Sequence, residues 1–135
     1  MTDTKAIDWL ANLKVTFVER GLAGEDFYYV IKTMVGEGRI SFLEMLSSAA
    51  QGHGTRVHEG LEFILEEDLD DPEDFDGAIF VIGEHESSIL PIIDFVCLIE
   101  LACRNYATEF PDDEGRVVAN LNRIKSRYAD ASALK

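Results

Sequence analysis

From Val57 to Cys103 the chain runs 47 consecutive residues without a lysine or arginine, and those residues carry 14 carboxylates. An unpaired charge is too costly to bury, so this segment can fold only in a way that leaves its acids at the surface. The density peaks in EEDLDDPEDFDG, Glu66 to Gly77, with eight carboxylates in twelve residues and a proline among them. Such a run reads as a loop. It is flanked by RVHEGLEFIL and GAIFVIG, apolar runs too short for well-formed helices, so the middle of the chain reads as strand, acidic loop, strand.

The charge balance sharpens this. Of 26 acidic residues, the 12 outside the segment are matched in number by all 12 lysines and arginines, so the formal net charge of −14 resides in the middle third. A solubilising surface normally intersperses both signs. A field of one sign repels the phosphates of nucleic acids and anionic membranes and favours a cationic partner. Expected partners therefore include no nucleic acid and no membrane.

At 135 residues the chain is the size of one domain, residues 1–135, and no internal repeat or long linker divides it. The first residues, MTDTKAIDWLANLK, lack the apolar stretch of a signal peptide, which leads to an expected cytoplasmic location. SSILPIIDFVCLIELAC is interrupted by Asp94 and Glu100 and reads as a core helix rather than a membrane span. That helix, around Phe95, suits the core or a second copy equally, so self-association stays open. Cys97 and Cys103, six apart on a helix, point about 120° away from each other and suit neither a disulfide nor a metal pair.

Helical spacing over residues 3 to 20 places Ile7, Leu10, Leu13 or Lys14, Phe17 and Val18 on one face, with Trp9 beside them. Glu25–Val35 has the aromatic and β-branched content of a strand, but its leading acids and the stop at Gly36 suit a short helix better. Ser41 with Glu44 three residues on forms a capping box that opens a helix to about Ala50. RVHEGLEFIL alternates Val57, Leu61, Phe63 and Leu65 as one strand, with Glu59 the misfit. GAIFVIG reads as a strand covered on both faces, and GEHESSIL as a hairpin return with its loop at Glu84–Glu86. Pro91 suits the first turn of a long helix to about Glu109, with Glu100 and Arg104 as an i,i+4 pair. A last helix, Arg116 to Tyr128, sets Val117, Leu121, Ile124 and Tyr128 on one face. The fold class is α+β: a small central antiparallel sheet of about three strands packed by N-terminal and C-terminal helices, with the acids near one sheet edge or its exposed face.

Catalytic and metal chemistry find little support. With Gly77 at the sixth position of an EF-hand loop, Pro72 falls at the first and Gly83 at the twelfth, where carboxylates are required. His53, His58 and His85 match no zinc spacing, and His53 sits in the exposed turn QGHGT. No nucleotide loop or nucleophile elbow is present, so the chain reads as a non-enzyme without a cofactor.

GLEFILEEDLDDPEDFDGAIFVIGEHESSI and FVCLIELACRNYATEFPDDEGRVVANLNRIKSRY together resemble bacterial immunity proteins of polymorphic toxin systems, particularly those of contact-dependent growth inhibition that neutralise ribonuclease toxins. The resemblance spans roughly Tyr28 to Tyr128. It implies a role, binding of a cognate basic toxin domain. Charge then nominates the toxin-binding residues: Glu66, Glu67, Asp68, Asp70, Asp71, Glu73, Asp74 and Asp76 in the loop, and Glu84 and Glu86 in the hairpin, imitating a phosphate backbone. Phe75 is the candidate apolar anchor, or else folds back to close the core. An acidic adaptor for another basic protein is the alternative; a carboxylate hydrolase or a calcium binder stands further off.

Overall fold

The structure, a computed structural model, describes residues 4–129. Helix α1 (Thr4–Val18) buries Ala6, Trp9, Leu13 and Phe17. Trp9 thus lies at the centre of the buried stripe, while Ile7, expected to face inward, is 53% exposed. The indole decides the orientation: its Nε1–H donates to the Ala102 carbonyl at 3.1 Å, so the largest apolar side chain of α1 is buried with its one polar atom satisfied.

Helix α2 (Leu22–Glu37) settles the ambiguous segment as helix, starting earlier than Glu25 and running through Gly36. It buries Asp26, Phe27, Val30, Ile31 and Met34. Phe27 is the centre of the core. Its ring lies 5.3 Å from Phe17 and Phe95, 5.4 Å from Phe80 and 5.6 Å from Phe63, joining two helices and two strands. Aromatic pairs of this kind add about 0.5–1.5 kcal/mol each beyond the area they bury. Asp26 accepts a 2.6 Å hydrogen bond from the Ser88 hydroxyl and so fastens α2 to the sheet.

Helix α3 (Phe42–Ala50) opens on the expected capping box, with Ser41 and Glu44 exchanging two 3.1 Å bonds. Four strands follow: β1 (Thr55–His58), β2 (Leu61–Ile64), β3 (Ala78–Ile82) and β4 (His85–Leu90), an antiparallel meander in the order β1-β2-β3-β4. The fold class is α+β, with four strands where three were expected. The extra one arises because RVHEGLEFIL is a hairpin, folded at Glu59–Gly60, and not a single strand. Gly60 takes φ of 87°, open to glycine and costly for other residues, and its carbonyl accepts from the Gly83 N–H at 2.7 Å. The two hairpin turns therefore sit side by side at one end of the sheet. The second turns at Gly83–Glu84, with Glu86 already in β4.

Val57, Leu61, Phe63, Ala78, Phe80 and Leu90 are buried under the helices, chiefly α2. The opposite face is not covered as expected: Ile79 and Val81 are only partly buried, and Ile89 is exposed. Pro91 immediately precedes α4 (Ile92–Glu109), which buries Ile92, Phe95, Leu98, Ile99, Ala102 and Cys103. Phe95 thus belongs to the core. Helix α5 (Glu114–Arg127) contributes Val117 and Ile124, and Tyr128 just beyond it is buried too. Cys97 and Cys103 are free thiols, and burial pushes that of Cys103 up to about 12. Among the described residues no helix is long and apolar enough to cross a membrane.

Backbone also comes very close to backbone between α1 and α2, where a Cβ on Gly24 would lie 2.0 Å from the Phe17 carbonyl oxygen. Gly24→Ala must push the two helices apart and is expected to cost roughly 3 kcal/mol, the upper end of overpacking penalties. Urea denaturation monitored by circular dichroism checks this; an unchanged midpoint would mean that α1 does not pack as described.

Candidate functional site

The acidic segment leaves the sheet from β2 and returns to β3 across thirteen residues, Leu65 to Gly77. Its first turn, a 3-10 turn over Glu66–Asp68, is fastened at every carboxylate. Asp68 accepts from the backbone N–H of Leu65 at 3.0 Å and of Gly54 at 2.7 Å, and its other oxygen lies 2.9 Å from His53 Nδ1. Burial raises the Asp68 pKa, but the two backbone donors and the imidazole outweigh it and hold the carboxyl below its ordinary value. The histidine expected merely to be exposed is thus a partner of the loop.

Glu66 and Glu67 meet the end of α5. The Arg127 guanidinium bridges both, reaching Glu67 at 3.0 Å, and the Tyr128 hydroxyl donates to Glu66 at 2.6 Å. Burial, then the Glu66 bond, raises the Tyr128 phenol far above its usual range, so it stays a donor. The Glu67 N–H also donates to the Gly52 carbonyl at 3.0 Å. Elsewhere in the cation-free segment, Glu100 is met by Arg104 at 2.7 Å and Lys125 at 3.4 Å, and Asp94 by Arg20 at 3.6 Å. Bases from both flanks therefore neutralise part of the segment in space, although none lies within it.

The rest of the loop is different in kind. Asp70, Glu73 and Asp76 are exposed, and their carboxylates have no hydrogen-bond or ion-pair partner among the described residues. Asp71 accepts only from the Glu73 N–H at 3.2 Å, starting a second short turn at Pro72. The Asp74 side chain lies outside the described part of the structure. Glu84 and Glu86 are likewise exposed and unpaired, but at the far end of the sheet, separated from the loop by the length of strands β2 and β3, about 15 Å at 3.3 Å per residue. The nominated acids thus form two groups bracketing the sheet. Phe75 is half-buried against the core, its ring 6.4 Å from that of Tyr128, so it closes the loop's return more than it projects.

Arg127 and Tyr128 are the residues that reading along the chain missed as loop partners, because they stand sixty or more positions away. Among the described residues no three of His, Cys, Asp and Glu gather in a way that could hold a metal ion.

Because folding lowers the Asp68 pKa, the stability it lends is present above the unfolded carboxyl value of about 3.9 and is lost as pH falls through the lower folded value. Asp68→Asn is expected to cost about 1–2 kcal/mol at pH 7, discounted for partial exposure, with the deficit shrinking toward pH 3. Urea titrations of both proteins at the two pH values measure this, and a deficit independent of pH would remove the carboxylate's role. Compared with protein families, curated proteins and solved structures, the chain matches none.

Proposed function

We propose that the chain is an immunity protein of the cytoplasm that binds a cognate basic toxin, a ribonuclease by the resemblance of its sequence, and neutralises it by covering the toxin's cationic site. The observation that supports this most is selective pairing. The fold supplies cations to Glu66, Glu67, Glu100 and Asp94, yet leaves the carboxylates of Asp70, Glu73, Asp76, Glu84 and Glu86 exposed without a partner among the described residues. Acids retained only for solubility gain nothing from being kept apart from available bases, whereas an anionic docking surface must be kept clear.

The mechanism is phosphate mimicry. An enzyme that cleaves a polyanion presents lysine, arginine or histidine to phosphates, and carboxylates at the surface of a rigid sheet imitate those phosphates without offering a bond to cleave. Such a field also speeds encounter by about ten- to a thousandfold at low salt. Neutralising a basic protein needs speed, because each unbound molecule is active until it is met.

The test is association with the basic domain encoded by the neighbouring reading frame, followed by stopped-flow fluorescence. The triple variant Asp70→Asn, Glu73→Gln, Asp76→Asn is expected to bind at least tenfold more slowly at low ionic strength. In about 1 M salt, where the Debye length falls to about 3 Å, the difference should largely vanish. Equal on-rates at low salt would sink the reading.

A further inference from the structure

Charge alone makes a fast encounter and a weak complex, so a neutralising protein also needs a dry contact. Phe75 does not provide one, since it is turned against Tyr128. The open face of the sheet does. Phe63 and Phe80 point into the helices, so by strand alternation Glu62, Ile64, Ile79 and Val81 project from the other side. The register aligns them across strands: Ile64 opposite Ile79 opposite Ile89, and in the next row Glu62 opposite Val81 opposite Glu86, with the exposed Arg56 of the edge strand beside Glu62. With neighbouring strands about 4.8 Å apart, the isoleucines form a continuous apolar row roughly 10 Å across. Ile89 at its edge is 48% exposed.

This row lies between the two acidic groups. Asp76 lies near the end of the loop, three residues before Ile79, while Glu62 and Glu86 flank Val81 and Glu84 stands at the turn beyond. The arrangement is that of a binding interface, an apolar centre with charge around it. We infer that the outer sheet face is the docking surface and that its occupant is a cationic protein that seats an aliphatic or aromatic side chain on Ile64, Ile79 and Ile89. The occupant's lysines and arginines meet the carboxylates at both ends. A second copy of this chain is the wrong occupant, because it would set acids against acids. The inference rests on the reading of the chain as an inhibitor of a basic protein and adds the contact that gives the complex its lifetime.

The experiment compares the wild type with Ile79→Thr, Ile89→Thr, a double change that keeps β-branched residues on the strands, and with Val118→Thr, an exposed apolar position on α5. Matching circular dichroism and urea midpoints establish that all three fold alike. Against the basic domain of the neighbouring reading frame, the isoleucine variant is expected to dissociate at least tenfold faster with an on-rate within about twofold of wild type. Val118→Thr should change neither rate. Wild-type binding with an unaltered off-rate in the isoleucine variant overturns the inference and leaves the immunity reading standing. If that domain does not bind at all, the immunity reading fails by itself, and the face is judged with a synthetic peptide alternating lysine and leucine. Shifts of the Ile64, Ile79 and Ile89 methyl signals, absent with a lysine–serine peptide, support it; equal effects of the two peptides, or shifts centred on Ile7 or Ile93, overturn it.

Discussion

Eight carboxylates within twelve residues repel one another, and the way the fold relieves part of that repulsion shapes everything around it. Two unit charges 4 Å apart interact by about 1 kcal/mol in bulk water and about 4 kcal/mol near a protein surface, so an acidic loop left to itself would spread away from the sheet. Asp68 prevents this at the loop's start. It takes donors from Leu65, within its own turn, and from Gly54 and His53, at the exit of α3. Glu66 and Glu67 then hold Arg127 and Tyr128, so the last turn of the last helix is tied to the middle of the chain. The loop becomes a joint between α3, the sheet and α5. The two central strands keep their register although thirteen residues connect them.

That joint also divides the loop by role. The first three acids are used within the molecule, and Asp70, Asp71, Glu73 and Asp76 are exposed on a base they do not have to support. On the proposed reading a cationic partner gains from this division, because carboxylates that are positioned in advance lose little freedom on binding. The core supports the same end. Phe27 packs Phe63 and Phe80 against α2 and Phe95, which covers the inner face of the sheet and leaves the outer one partly exposed.

Much of this was legible along the chain. The capping box at Ser41, the core helix after Pro91, the Glu100–Arg104 pair and the buried set Val57, Leu61, Phe63 and Leu65 follow from local chemistry and periodicity, and local rules suffice for them. The hairpin at Glu59–Gly60 was hidden because a two-residue turn preserves even spacing, so Val57 and Leu61 face the same way whether or not the chain folds back between them. In α1 the apolar positions make two stripes, and only the long-range bond from Trp9 to Ala102 chooses between them. The unbroken apolar run of β3 suggests a strand covered on both faces; what it encodes is one face for Phe27 and one left open. Pairing of Glu66 with Arg127 and Tyr128 depends on contacts some sixty residues apart, which no count of charges along the chain can reveal.

The central claim is that folding leaves the outer acids uncompensated while it spends the inner ones. Paramagnetic relaxation of backbone amides by a cationic and an anionic nitroxide of the same size reads the potential beside each residue directly. The cation is expected to be strongly preferred near residues 70–76 and 84–86, and markedly less so near 66–68 where Arg127 and His53 sit. A uniform preference along the whole loop, or one centred elsewhere on the molecule, would contradict it.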